Sequence, residues 1–443
     1  TQTKTQRYVA LDVLRGMTVA GMILVNNPGS WSHIFPPLKH APWTGCTPTD
    51  LVFPFFLFCV GVAMAFSFAK YGDALNRKSA WKLVKRGILI FLVGLGLNMF
   101  PFYPTSPHDA SWTFGQNWVY WLQHVRIFGV LQRIAMCYIL GGFLALWLKT
   151  PKKILIGLGA VTFLHWLILY LFGTEPGWST LEGNISGKID IALLGENHVY
   201  HGYGIPFDPE GLLGALSGAG TVLLGYFIGQ MIRHTENKTE AVAKLYTTAA
   251  ICLAIGCIWS IWLPISKPLW TGSYVLYAGG WAILCLAFFV WFIDVKGKEK
   301  YFIPFKAMGM NPLFAFVMAG LTVKILGRMI HWTAANGSNV TPLSWFYQHC
   351  CVSVFGNNEY ASLMYALCYV ALFVLMAMWL YRKKIIIKLK ASFAVYAFEN
   401  IGAHASGGGA RRLRREGGSQ RHMLRSEASY ATTMAYIGLI SDT

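Results

Sequence analysis

Apolar runs about twenty residues long, set apart by shorter polar segments, fill this chain from residue 8 to residue 381. A run of that length crosses the hydrocarbon layer of a bilayer as an α-helix. Counting such windows predicts ten spans, at roughly 8–27, 50–70, 83–100, 128–148, 153–172, 212–232, 245–265, 272–293, 305–326 and 361–381. The pattern therefore predicts an all-α polytopic membrane protein with one transmembrane domain over residues 1–390. After Lys390 the apolar period stops. Residues 391–443, with GGGARRLRREGGSQRHMLRSEAS among them, are expected to form a disordered or added basic tail outside the fold.

Composition agrees with the pattern. Of 443 residues, 55% are hydrophobic and 13% charged, against about 25% charged in soluble domains. The 17 tryptophans suit helix ends at two membrane interfaces. A formal charge of +18 would suit nucleic acid, but its distribution excludes that partner. Basic residues gather in alternate loops: Lys70 to Arg86 after the second span, Lys149 to Lys153 after the fourth, then Arg233 to Lys244, Lys296 to Lys306 and Arg382 to Lys390. The intervening loops hold only Lys39, Arg126, Lys188, Lys267 and Arg328. By the positive-inside rule both termini lie in the cytoplasm, and the long loops 28–49, 101–127, 173–211 and 327–360 lie outside. Long loops in a compact protein carry function.

The nine cysteines sit mostly within apolar runs and read as small buried hydrophobes. Neither a CxxC pair nor a Cys/His metal spacing occurs, so no metal is expected. No cleavable leader is expected either, because the first apolar run carries Asp12 and Arg15.

Polar groups inside or beside the spans are the candidates for chemistry. Asp12 and Arg15, three apart, share a helix face, as an ion pair or as part of an anion site. Arg126 and Arg133, seven apart, also share a face, and each calls for a carboxylate or a phosphate. Asn311 precedes a proline in the ninth span, where it would satisfy carbonyls freed at a kink. His40 lies in a polar loop ahead of Asp50, and Asn26 closes the helix before it. A lone loop histidine is ordinarily a surface group, and a carboxylate at Asp50 is a natural helix cap. If the loop folds back, Asp50 or Asn26 orients the ring, and the imidazole takes a proton from an amine attacking a thioester. Outside, Asp190, His198, Asp208 and Glu210 lie near Trp178, Tyr200 and Tyr203, a mixture suited to a sugar. Asp208 reads equally as a helix cap.

Six segments carry a resemblance: LDVLRGMTVAGMILVN at 11–26, KHAPWTGCTPTDLVFPFFLF at 39–58, RIFGVLQRI at 126–134, ID at 189–190, FDPEGLLG at 207–214 and GMNPL at 309–313. Together they resemble the heparan-alpha-glucosaminide N-acetyltransferase family of transmembrane acyltransferases, in what looks like a bacterial member of the inner membrane. The resemblance implies transfer of acetyl from cytosolic acetyl-CoA to the amine of a terminal glucosamine across the membrane. It puts the catalytic histidine on His40, with Asn26 and Asp50 beside it, acting either as a base in a ternary complex or as an acetyl-accepting nucleophile. Arg15, Arg126, Arg133 and Asn311 are assigned to the donor, and Asp190, His198, Asp208 and Glu210 to the amino-sugar or oligosaccharide acceptor. Membrane lipid is the other expected partner, and a homodimer is left open. A transporter or channel for an anionic metabolite is the competing class, since it too explains arginines in the bilayer. It predicts internal repeats and broken helices, which the sequence does not display.

Overall fold

The computed structural model describes residues 8–105, 108–334 and 337–387. The expected tail at 391–443 lies outside the described residues. Among them the only strands are the two-residue pair Trp332–Thr333 and Asn339–Val340; the rest is helix and loop. Long helices are α1 (Val9–Asn26), α2 (Pro48–Phe68), α3 (Arg77–Met99), α5 (Val130–Leu148), α6 (Pro151–Phe172), α8 (Leu212–Arg233), α9 (Lys238–Trp259), α10 (Gly272–Phe289) and α15 (Glu359–Arg382). Shorter ones are α4 (Phe114–Gln123), α7 (Ile185–Leu194), α11 (Ile303–Met310), α12 (Pro312–Lys324), α13 (Pro342–Phe346) and α14 (Ser353–Phe355). Helices dominate because lipid offers the backbone no hydrogen bonds, so each span must satisfy its own.

Nine of the described helical segments are long and apolar enough to cross a membrane, the eight long helices other than α3 together with α12 and its continuation to Met329. The exception among the ten expected spans is α3, whose first ten residues include Arg77, Lys78, Lys82, Lys85 and Arg86. Its packing nevertheless makes it a full-length member of the bundle. Leu83 meets the α5 backbone at Gly142, Ile139 lies against Gly87, and Leu131 and Gln132 lie against Gly94. This antiparallel contact runs nearly the whole length of α5, so α3 traverses the layer that α5 spans. Predicted boundaries move at several spans; the third starts at Arg77, after the Asn76 cap. The seventh span starts at Lys238 because Asn237 caps it, accepting from Thr239 N and Glu240 N. The ninth is two helices, since Pro312 has no N–H to continue the ladder and α11 stops at buried Asn311. A broken helix, a feature expected of the transporter class, is thus present.

Helix α8 runs through the core with most of its residues buried. Where it crosses α2 the backbones nearly touch: a Cβ on Gly61 would stand 2.1 Å from Val222 O, and one on Gly225 2.2 Å from Phe58 O. Small residues at such crossings let membrane helices approach closely. The pair Gly16 and Gly309 does the same for α1 and α11. Helices α6, α9 and α15 expose Ile156, Phe163, Ile255, Ile258, Leu372 and Leu375, the faces that lipid would cover. Residues 380–387 are the end of α15 and a turn closed by Ile385 N to Leu380 O.

The bundle has two distinct ends. At one, Arg233 on α8 pairs with Asp73 after α2 (2.9 Å), and Gln230 donates to Lys149 O after α5 (3.0 Å). The other end gathers the start of α2, the end of α3, the start of α5, α7 and the start of α8. That second end holds the site.

Candidate functional site

The loop ahead of α2 folds back onto the first turn of that helix. Thr47 and Asp50 form a capping box, in which Thr47 N donates to Asp50 Oδ2 (3.1 Å). A simple cap would end there, but the same carboxylate collects more donors. Ala41 N reaches Oδ2 at 2.9 Å and the Thr47 hydroxyl reaches it at 3.0 Å. His40 Nδ1 lies 2.6 Å from Oδ1, and Lys267 Nζ 3.3 Å from the same oxygen. Asp50 is 1% exposed, whereas the His40 side chain is 43% exposed. Asp50 thus caps α2 and hydrogen-bonds the His40 ring with the same carboxylate.

This arrangement fixes which ring nitrogen faces the carboxylate. Lys267 Nζ also lies 3.0 Å from His40 Nδ1, but an ammonium has only donors. A contact of 2.6 Å between nitrogen and carboxylate requires a proton between them, so we assign Nδ1 as the donor to Asp50 and pair Lys267 with the carboxylate. Nε2 is left as the lone-pair nitrogen, with no hydrogen-bond partner among the described residues. It sits on an accessible ring whose orientation is fixed from behind.

The loop is fastened on both sides. Gly45, at φ +98°, takes a left-handed turn that lets its N–H reach Ile265 O (2.8 Å), and Ser266 Oγ donates to Trp43 O (2.9 Å). Trp43 Nε1 donates to Ser179 O (2.7 Å), and its ring packs edge-on against Tyr203 and Phe207. Tyr274 OH, from α10, donates to Asp50 O (2.7 Å). The neighbouring Cys46 is no rival nucleophile: burial, with Asp50 close by, pushes its thiol up to about 12.

A second cluster adjoins the first through Tyr203. Arg126 grips Asp208 with two bonds, Nε to Oδ2 at 2.9 Å and Nη2 to Oδ1 at 2.7 Å, and also reaches Glu210. Its guanidinium lies 4.7 Å over the Tyr200 ring. These carboxylates hold the Arg126 cation charged, raising its proton affinity against the cost of burial. Arg126, expected at the donor, and Asp208 and Glu210, expected at the acceptor, thus share one ion-pair network. His198 is occupied as well: Nδ1 donates to Val125 O (2.7 Å), and Ile127 N donates back to His198 O (3.1 Å).

Deeper in, Arg133 is 1% exposed. Its Nη2 donates to Pro209 O (2.8 Å) and Gly211 O (3.0 Å), and the group faces Trp270 at 5.3 Å. Nε and Nη1 find no partner, nor do both nitrogens of His165 on α6, Ser217 Oγ on α8 and Asp190 Oδ2. Asp190 spends its other oxygen on Leu212 N (2.9 Å), capping α8. Burial pushes its carboxyl up to about 7. Arg15 Nη1 lies 3.4 Å from Asp12 and 3.5 Å from Gly309 O, at the α1–α11 crossing. Asn311 is buried two residues further on, where α11 ends. Asn26 ends α1 exposed, and no hydrogen bond links it to His40.

Sequence reasoning had singled out His40 and Asp50, and the fold joins them. It had passed over Lys267, a loop lysine whose one signal was its rarity at that end of the bundle. His165 and Ser217 stand in apolar helices with no motif around them. Among the described residues no cluster of side chains suited to a metal occurs.

Comparison with known proteins bears on the same residues. Residues 7–185 match the family described as "Heparan-alpha-glucosaminide N-acetyltransferase, catalytic", a stretch that contains the whole His40–Asp50 loop. The heparan-alpha-glucosaminide N-acetyltransferase of Mus musculus is 28% identical over 378 residues, covering 71% of this chain and 54% of that protein. That of Homo sapiens is 27% identical over 441 residues, covering 86% of this chain and 60% of that protein. The chain spans little more than half the length of these relatives. The match falls on the first part of the helical bundle and the loop that presents His40, and the chain is similar there to the heparan-alpha-glucosaminide N-acetyltransferases.

Proposed function

We propose that this protein transfers an acetyl group from acetyl-CoA to the amine of a glucosamine-type sugar, with His40 as the reacting imidazole. The observation that carries the reading is the His40–Asp50 pair: Nδ1 is held at 2.6 Å by a carboxylate 1% exposed, on an imidazole side chain that is itself 43% exposed. In the direct route Nε2 takes a proton from the amine as nitrogen attacks the thioester carbonyl. The carbon–sulfur bond breaks, and the CoA thiolate leaves and is protonated. In the two-step route Nε2 attacks the thioester itself and expels the CoA thiolate, and the amine then attacks the acetyl-imidazole carbonyl, displacing the imidazole, which takes up the amine proton. Asp50 stabilises positive charge on the ring in both routes, and Lys267 holds Asp50.

The sidedness proposed follows the charge pattern. The end of the bundle opposite His40 carries Lys82, Arg86, Lys149, Lys153, Arg233 and Lys238, and this end is assigned to the cytoplasm. His40 then opens to the outer face of a cytoplasmic membrane, beside the amino-sugar acceptor. Arg15, part-buried at the Gly16–Gly309 crossing, is proposed on the donor's route. Arg133, whose hydrogen bonds hold the Pro209–Gly211 turn, is assigned to positioning that turn.

The test uses purified protein, acetyl-CoA and glucosamine. His40→Ala removes an exposed loop side chain and is expected to leave thermal unfolding and acetyl-CoA binding intact, while transfer falls by at least about a hundredfold. Wild-type protein given radiolabelled acetyl-CoA alone distinguishes the routes, since only the two-step route leaves label on the chain. Turnover by His40→Ala at the wild-type rate overturns the assignment.

A further inference from the structure

We infer that a second cavity at the His40 end of the bundle is a subsite for an acidic sugar ring of the acceptor. It has a volume of about 380 Å³ and lies between the end of α3, helix α4 and the end of α12, lined among others by Tyr103, Tyr120, Trp121, His124, Lys324 and Arg328. This inference rests on the acetyltransferase reading for the identity of the acceptor, but not for the chemistry of the cavity.

The charge of the wall is uncompensated. Lys324 Nζ donates to Leu97 O (2.6 Å), Asn98 O (3.0 Å) and Phe100 O (3.0 Å). An ammonium has three donors, so all are committed to the carbonyls that end α3, and no carboxylate among the described residues pairs with it. Arg328, one turn further along and exposed, makes no hydrogen bond or ion pair among the described residues. No Asp or Glu lines the cavity. The nearby Asp109 carboxylate is turned to Ser111, accepting from its N (2.8 Å) and Oγ (2.7 Å). The guanidinium of Arg328, with five donors in a planar fork, is thus free to grip a carboxylate or sulfate, while Lys324 contributes charge alone.

The other wall is flat and aromatic. Tyr120 is sandwiched between the imidazoles of His108 at 3.8 Å and His124 at 3.9 Å, and His124 Nδ1 donates to Tyr120 O (2.7 Å), which fixes that imidazole and leaves its second nitrogen for a ligand. Trp121 lies between them in sequence. Buried Asn117 ties α4 down, accepting from His108 N (2.7 Å) and donating to Asp109 O (3.1 Å). A preformed concave site with aromatic faces and one directed cation takes a ring that is apolar on its face and anionic at its edge. Uronic acids and sulfated glucosamines have that form. The cavity opens at the His40 end, where the acceptor is placed, and not at the basic end assigned to the donor.

The probe is a sulfated glucosamine–uronate disaccharide titrated into the full chain in detergent, with tryptophan fluorescence or calorimetry as readout. The disaccharide is expected to bind, to weaken as salt rises, and to bind at least tenfold more weakly to Arg328→Gln. Tyr120→Leu removes the ring that holds the His108 and His124 imidazoles in their stack, and is expected to weaken binding while leaving the salt dependence in place. Equal disaccharide affinity in wild type and Arg328→Gln overturns the subsite, as does displacement of the disaccharide by CoA. In transfer assays, Arg328→Gln is expected to lower the ratio of kcat/KM for the disaccharide to that for glucosamine at least tenfold. If the wild type transfers acetyl to neither acceptor, the acetyltransferase reading fails, and the binding titration still decides the subsite.

Discussion

Two polar regions of this bundle lie on either side of Trp270 and Tyr274 and keep opposite accounts of their hydrogen bonds. Above is the His40 loop, where Asp50 takes bonds from a ring nitrogen, two backbone amides and a hydroxyl, with Lys267 completing the charge. Below is the layer of Arg133, His165, Ser217 and Asp190, in which six side-chain atoms are buried without a partner. Tyr274 donates to Asp50 O on one side, and Trp270 faces Arg133 on the other. The loop spends its polar groups on holding one imidazole still, leaving a single lone pair for chemistry. The layer beneath buries its polar groups at a cost that hydrogen bonds only partly offset. Function is therefore expected to be most sensitive above, and stability and its pH dependence below.

Asp50→Asn gives the sharpest break of that contrast. An amide offers one acceptor oxygen where the carboxylate offers two, and its NH₂ must confront His40 Nδ1, Ala41 N or Thr47 N. Transfer is expected to fall roughly a hundredfold, the scale of losing a positioned base, and loss of the capping bond to cost about 1 kcal/mol. Rate and thermal midpoint measured on the same preparation separate the two effects. A variant that turns over normally would show that the ring needs no carboxylate behind it.

Arg133→Met probes the lower layer. It removes the unpartnered Nε and Nη1 but strands Pro209 O and Gly211 O, whose loss costs about 1–3 kcal/mol each before the methionine's packing offsets part of it. The expected result is a protein destabilised by about 2 kcal/mol, with acetyl-CoA affinity retained and activity per folded molecule within tenfold of wild type. A selective collapse of acetyl-CoA affinity, with the thermal midpoint unmoved, would return Arg133 to the donor site.

The contrast also explains what was legible in sequence. His40 and Asp50 are ten residues apart, and their meeting needs only a short loop turned back on a capped helix. Thr47, Pro48 and Asp50 announce that cap. The spans were legible for a similar reason, since each is a local apolar run. Helix α3 needed the fold, because its cations obscure its length and only the packing against α5 shows that it crosses. Lys267 lies more than two hundred residues from the carboxylate it pairs with, and His165 and Ser217 meet Arg133's layer from separate helices. Arg126 was legible as a cation in need of a partner. That the partners would be Asp208 and Glu210, and not a phosphate, depends on how the 173–211 loop folds over α5.

The smallest expected effect comes from Asp190, where the lower layer meets the outer loops. Burial is the main cause that raises its carboxyl to about 7, with Asp208 adding, and the Leu212 amide and Arg133 opposing. An unfolded aspartate titrates near 3.9. Between those values the folded chain holds a proton that the unfolded chain has lost, so this residue's contribution to stability is complete in acid and declines as pH rises toward 7. The slope approaches 1.4 kcal/mol per pH unit, so moving from pH 6 to pH 7 costs about 1 kcal/mol. Asp190→Asn keeps an acceptor for Leu212 N and has no proton to lose. The difference in thermal midpoint between variant and wild type is therefore expected to grow in the variant's favour from pH 5 to pH 8. A pH-independent difference would show that Asp190 is ionised throughout, already paired with the Arg133 charge that its free oxygen lies near.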